Sequence, residues 1–147
     1  MTINNMLYKV GFTCGTFDLF HAGHVLMLQE AKSQCEKLIV GLQNDPSVDR
    51  PHKNKPVQSI LERAIQIGGC KYVDFYVVYN TEDDLMDYLT ICDMQVRFVG
   101  EEYMEKDFTG KQYCIDNGIK IVYNSRRHRF SSSELRSRVM LANKVGL

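Results

Sequence analysis

The sequence predicts an α/β fold, a doubly wound parallel sheet of five strands with helices on both faces. Three observations predict it. Apolar, β-branched segments alternate with helical patterns along the chain, which implies right-handed crossovers between parallel strands. The run Leu38-Ile39-Val40-Gly41-Leu42 is continuously apolar, as a strand covered on both faces has to be. Gly15 follows the first β-prone segment and leads into a helix, at the carboxyl end of a strand, where such folds bind ligands. With 147 residues, 44% of them apolar, the chain suits one domain spanning 1–147 with a core of useful size. It holds no repeat, linker or low-complexity segment.

The elements follow in order. Leu7 to Thr13 is the first strand, and Ala22 to about Cys35 reads as a helix with Val25, Leu26, Leu28 and Ala31 on its inner face. After the second strand, Asn44 to Gln58 holds all three prolines and several charges, which marks a long loop of the kind that carries function. Ser59-Ile60-Leu61-Glu62 is a capping box, opening a short helix that stops at Gly68-Gly69. Val73 to Tyr79 is rich in β-branched and aromatic residues, a third strand. Thr81 caps a helix reaching about Ile91, with acidic residues in its first turn where the dipole favours them. Val96 to Val99 is the fourth strand, Lys111 to Asn117 a helix stopped by Gly118, and Ile119 to Val122 the fifth strand. Ser131-Ser132-Ser133-Glu134 is a second capping box and opens the last helix.

Charge excludes some partners. Lys plus Arg number 18 and Asp plus Glu 18, so no global field recruits nucleic acid or an anionic membrane. Affinity for polyphosphate has to come from locally gathered cations. No apolar run approaches a membrane span, and the first residues lack the layout of a signal peptide, so a cytoplasmic protein is expected. The five cysteines are scattered with no C-x-x-C pair, which fits reduced thiols used mostly as small core residues.

The stretch from Val10 to His24, V-G-F-T-C-G-T-F-D-L-F-H-A-G-H, describes a phosphate-handling site. Gly15 and Gly23 let backbone come close to a bulky group. His21 and His24 are spaced to face one object at the mouth of the following helix, whose first N–H groups are unsatisfied and carry partial positive charge. Asp18 suits the orientation of a ring nitrogen or loop amide, a water-mediated metal contact, or a purely structural hydrogen bond. The proline-containing loop adds Arg50, His52, Lys53 and Lys55. Near the other end, Arg126-Arg127-His128-Arg129-Phe130 runs into the serine-capped helix start, so cations, hydroxyls and free amides converge on an anion.

Gly15-Thr16-Phe17-Asp18-Leu19-Phe20-His21-Ala22-Gly23-His24 resembles the G-x-F-D-x-x-H-x-G-H signature of the cytidylyltransferases in the HxGH nucleotidyltransferase superfamily, and within them the small bacterial glycerol-3-phosphate cytidylyltransferases. The resemblance covers essentially the whole chain and implies a Rossmann-like HxGH nucleotidyltransferase fold. It implies attack of a substrate phosphate oxygen on the α-phosphorus of CTP, with glycerol 3-phosphate as acceptor, a CDP-activated product and release of pyrophosphate. His21 and His24 match the signature histidines that donate to the triphosphate. Lys53 stands ten residues before Arg63, a spacing similar to that of the family's loop lysine and helix arginine. Lys53 is therefore the expected reaching cation, Lys55 its alternate, and Arg63 a further candidate. Arg126 aligns with the arginine of the second signature, R-T-E-G-I-S-T-S, and Ser131 and Ser132 with its first serine and its threonine. Arg127, His128 and Arg129 replace its threonine, glutamate and glycine. Thr13, Gly15, Thr16, Phe17 and Gly23 are implied nucleotide contacts. So is Glu102, in a Val99-to-Tyr103 stretch similar to V-x-G-D-D-W. The resemblance also implies Mg²⁺ carried by the triphosphate rather than by protein ligands. A homodimer is expected too, since Lys71-Tyr72-Val73-Asp74 resembles the family's interface segment R-Y-V-D. Alternatives are an adenylyltransferase, a cytidylyltransferase for another phosphorylated acceptor, and a non-catalytic nucleotide-binding regulator.

Overall fold

Eight residues from Tyr8 to Gly15 form β1, and both neighbours of that strand pair with it in parallel. The computed structural model describes residues 7–125 and 130–144. Its remaining strands are β2 (Cys35–Gln43), β3 (Phe75–Tyr79), β4 (Val96–Gly100) and β5 (Lys120–Asn124), in the sheet order β3-β2-β1-β4-β5. All pairings are parallel, and the strand order reverses between β1 and β4. The crevice above that reversal is where a doubly wound sheet receives its ligand. The helices are α1 (Ala22–Lys32), α2 (Pro46–Asp49), α3 (Ile60–Gly68), α4 (Glu82–Ile91), α5 (Lys111–Asp116) and α6 (Ser132–Lys144). Among the described residues no helix is long and apolar enough to cross a membrane.

Apolar residues pack on both sides of the sheet, as the uninterrupted run in β2 requires. Leu28, Ala31, Leu38, Val40, Ile67 and Phe98 fill one side, and Phe12, Tyr79, Leu85, Leu89 and Met94 the other. The first helix departs from expectation. Leu26 is exposed, while Gly23, Leu28 and Ala31 are its buried positions. It also ends at Lys32, because only two residues separate it from β2.

Two further boundaries move for local reasons. The loop from Asn44 to Gln58 contains a short helix, α2, whose cap is Asp45 accepting from the Ser47 N–H at 2.9 Å, with Pro46 at the first helical position. The third strand starts at Phe75, not Val73, because Asp74 intervenes. Its carboxylate takes the Leu38 N–H at 2.8 Å and pairs with Lys32 at 2.7 Å, so a side chain occupies the donor that a strand carbonyl would otherwise accept. The capping boxes at Ser59–Glu62 and Thr81–Asp84 form.

Gly11 is demanded by this packing. A Cβ there would stand 2.7 Å from the Phe98 ring and 2.8 Å from the Cys35 sulfur, both buried. Gly11→Ala is expected to cost about 1–3 kcal/mol through overpacking, read as a lower urea midpoint at unchanged m-value.

Candidate active site

The motif spacing H-x-x-H has a local cause. His21 is the N-cap of α1, and its Nδ1 accepts from the Gly23 N–H at 3.0 Å. His24 returns the contact: its Nδ1 accepts from the His21 N–H at 3.2 Å. Two imidazoles thus do the work that Ser and Glu do in an ordinary capping box. Because both Nδ1 atoms accept from backbone, a neutral ring carries its proton on Nε2. The rings stack with centroids 3.8 Å apart, and Phe20 stacks on the other side of His24 at 5.6 Å. His21 Nε2 lies 3.2 Å from Ser132 Oγ, which in turn donates to the Asp18 carbonyl at 3.2 Å. That chain joins the first turn of α6 to the first turn of α1.

The loop before the histidines is held in a strained form. Phe17 and Leu19, neither of them glycine, adopt φ of 50° and 52°. Asp18, between them, fixes this shape: its carboxylate accepts the Val57 N–H at 2.8 Å and the Gln58 N–H at 3.0 Å, and pairs with Arg136 at 3.0 Å. Gln58 reciprocates by accepting the Leu19 N–H at 2.8 Å. Burial opposes the charge on Asp18. The two backbone N–H groups and Arg136 outweigh it, and its carboxyl lies below the ordinary value. Of the roles open to Asp18, the structure displays the loop-amide contact. Beneath this loop Arg63 is fully buried and donates to the carbonyls of Thr16, Gln43, Asn44 and Gln58. Its guanidinium ties the motif loop to the end of β2 and the start of α3.

A cavity of about 910 Å³ opens at the carboxyl ends of the strands, over the β1–β4 reversal. It brings together His21, His24, Lys53, Thr13, Gly15 and Thr16, and with them Phe17, Gly23, Glu102, Ser131 and Ser132. Lys53 is half-buried and Lys55 is exposed and off the cavity wall. Asp18 and Arg63 do not line the cavity. Arg126 and Arg127 lie outside the described residues. A Cβ at Gly15 would meet only the Phe17 ring, at 3.4 Å, so protein packing does not account for that glycine. Gly15 leaves room on the cavity side instead.

Several wall residues escaped the sequence reading: Gln43, Tyr79, Glu82, Arg97 and Thr109, whereas the loop cation Arg50 is on the wall as well. Arg97 left a signal, a charged residue inside the apolar run of a central strand. Gln43 and Tyr79 left none beyond their position at strand ends.

A parallel sheet whose order reverses beneath such a cavity, with imidazoles and hydroxyls at two helix starts, defines a nucleotide-binding α/β enzyme. The chain belongs to the Cytidylyltransferase-like family, which it matches over residues 12–138, and it is a nucleotidyltransferase. It is 33% identical over 132 residues to a protein of Rhodospirillum rubrum named bifunctional protein HldE, covering 89% of this chain and 26% of that one. It is 34% identical to the Caulobacter vibrioides protein of the same name, with 89% and 27% covered. The chain therefore spans about a quarter of the length of these relatives. Among solved structures, a lipopolysaccharide core biosynthesis protein of Thermoplasma volcanium has the same fold, with a TM-score of 0.64 at 23% identity, covering 84% of this chain and 99% of that one. A pantoate-beta-alanine ligase of Francisella tularensis has it too, at 0.60 and 21%, covering 96% and 72%.

Two variants test the scaffold. The Asp18 carboxyl titrates lower in the folded chain than in the unfolded one. Its contribution is therefore complete above the unfolded value of about 3.9 and is lost as pH falls through the folded value. Asp18→Asn is expected to lower stability at pH 7 by about 1–3 kcal/mol, with the gap to the native chain closing as the pH falls below about 4 in urea titrations. Arg63→Met leaves several buried carbonyls unpaired and is expected to cost about 3 kcal/mol or more by the same measurement.

Proposed function

We propose that the chain transfers a nucleotidyl group from CTP to the phosphate of a small phosphorylated polyhydroxy compound, with glycerol 3-phosphate as the first acceptor to test. One observation carries the reading: His21, His24, Lys53, Ser131 and Ser132, drawn from three separate segments, share one cavity at the strand reversal. Its volume stands near the upper end of the roughly 300–1,000 Å³ usual for small-ligand sites, room for a nucleotide beside a second substrate.

In this reaction an acceptor phosphate oxygen attacks the α-phosphorus in line. A new P–O–P link forms as the bond to the β-phosphate bridging oxygen breaks, and pyrophosphate leaves with the electron pair. Both reactants are anions, so positioning and charge supply most of the acceleration. The Nε2 protons of His21 and His24 serve as donors to the triphosphate oxygens, each ring oriented by the backbone N–H at its Nδ1. Gly15 lets the phosphates approach the backbone, and Lys53 supplies a mobile positive charge from the loop. Mg²⁺, when bound with the triphosphate, neutralises its oxygens, held by those oxygens and water. Arg126 and Arg127 are proposed as further contacts on sequence grounds.

A second reading keeps this chemistry and takes ATP with a sugar phosphate. It is favoured by Arg127, His128 and Arg129, which stand where the cytidylyl signature has Thr-Glu-Gly, and by the alternating donors and acceptors Gln43, Glu82 and Thr109 on the cavity wall. A homodimer is part of the proposal. Phe75, Tyr76 and Val78 of the edge strand β3 and Leu61 and Ile65 of α3 are exposed apolar side chains of the kind a partner covers.

Pyrophosphate release decides, measured with CTP or ATP against glycerol 3-phosphate and a panel of sugar phosphates. Release with CTP and a phosphorylated acceptor is expected. Turnover with ATP alone transfers the assignment to the second reading, and nucleotide binding with no release from any pairing makes the chain a regulator. His24→Ala is expected to bind nucleotide within about tenfold of the native chain and to turn over at least ~100-fold slower.

A further inference from the structure

Part of the cavity takes no part in the transfer of CMP from CTP described above. It lies on the α4 side of the sheet, walled by Cys14, Gln43, Tyr79, Glu82, Phe108 and Thr109. Arg97 stands at its base, three residues before Gly100, which lines the same cavity at the end of β4. Arg97 and Phe12 are register partners, so their side chains leave the same face, and Phe12 packs with Tyr79, Leu85 and Leu89 on that side.

The surroundings of Arg97 are unusual for a charge that is 3% exposed. Its Nη1 donates to the Thr109 carbonyl, and its Nη2 to the Cys14 sulfur at 3.8 Å. The guanidinium carbon lies 5.0 Å from the centre of the Phe108 ring. Its Nε is buried with no partner. None of the ion pairs among the described residues includes it. Glu82, on the wall of the same lobe, is already engaged by Arg50 at 3.5 Å, Gln43 at 3.3 Å and the Thr109 hydroxyl at 2.8 Å. Buried charges are as a rule paired, and a cation held among neutral groups projects its field into the space beside it. That space is the lobe, since Cys14, Phe108 and Thr109, three of the guanidinium's neighbours, line it, while Cys114 backs it from the core side.

We infer that Arg97 determines acceptor specificity by holding a counter-charge for a second anionic group, a carboxylate or a second phosphate, at the end of the acceptor remote from its reacting phosphate. The inference rests on the proposed transfer reaction. It assigns the lobe to the acceptor because the histidines, Ser131 and Ser132 that would hold the triphosphate stand at the starts of α1 and α6, while the lobe is walled by the ends of β1, β2 and β3, the start of α4 and the loop before α5, with Arg97 of β4 at its base. The acceptor class is thereby narrowed to compounds with two acidic groups separated by a short polar chain.

The test compares 3-phosphoglycerate and a sugar bisphosphate with glycerol 3-phosphate and the matching sugar monophosphate. The native chain is expected to favour the doubly acidic acceptors in kcat/KM by about 30-fold, the order of one charge-assisted hydrogen bond. The carboxylate and bisphosphate arms distinguish the two sources of the second charge. Arg97→Met is expected to abolish the preference while leaving the nucleotide KM within about threefold, and Arg97→Lys to retain part of it. Equal use of singly and doubly acidic acceptors by the native chain overturns the inference, as does an Arg97→Met variant that keeps the preference. If Arg97→Met does not fold, judged by its melting curve, the native preference together with Arg97→Lys decides. If no acceptor releases pyrophosphate, the transfer reaction fails. Calorimetric binding of the same four compounds then reads the charge preference by itself, tighter binding of the doubly acidic ones by about tenfold supporting it and equal binding ending it.

Discussion

The reciprocal cap between His21 and His24 is the constraint on which the site depends. A helix start needs acceptors for its free N–H groups, and here the two Nδ1 atoms meet part of that need. Meeting it fixes both rings, stacks them, and leaves each Nε2 as the side that can donate. Donors built this way need no separate machinery to orient them, because the helix that positions them would fray without them. The spacing of three residues is therefore a structural requirement of the cap as much as a requirement of a phosphate.

A cap alone would leave the preceding loop free to move. Asp18 and Gln58 close that freedom from both directions, one accepting amides from the segment before α3 and the other accepting an amide from the motif loop. Arg63 seals the underside, and Arg136 of α6 reaches the same carboxylate. Three segments distant in sequence thus meet at one carboxyl group. The left-handed backbone at Phe17 and Leu19 persists because these contacts over-determine it, a cost of order 1–3 kcal/mol for each residue borne by the surrounding network.

Much of the fold was legible from periodicity and caps: the alternation of strands and helices, the uninterrupted run of β2, the box at Ser59 and the cap at Thr81. What was missed depended on tertiary contact. Leu26 looked like an inner residue because it is apolar, yet burial fell on Leu28 and Ala31. The late start of β3 follows from Asp74 bonding across to Leu38, a contact between residues 36 apart. In the site, the motif histidines and serines could be read because their spacing is local. Arg63 could be singled out but its role could not, since four carbonyls on separate segments define it. Phe17 and Leu19 carry the left-handed backbone that the sequence would assign to glycine, because Asp18 and Gln58 enforce it from a distance.

With equal numbers of acidic and basic residues, this chain has no net field with which to collect an anionic substrate. Its attraction has to be local, and in the proposed reading the cavity divides that task between two kinds of donor. On the α1 side the donors are neutral imidazoles and hydroxyls, which can press against phosphate without binding it so firmly that product stays. On the α4 side the donor is a full charge, Arg97, deep in the sheet and fixed by Thr109 and Phe108. A fixed buried charge held by neutral neighbours suits a group that only has to be recognised. In the proposed reading this difference in chemistry separates a reacting end from a recognising end within one cavity, and it follows from whether a donor stands at a helix start or within the sheet.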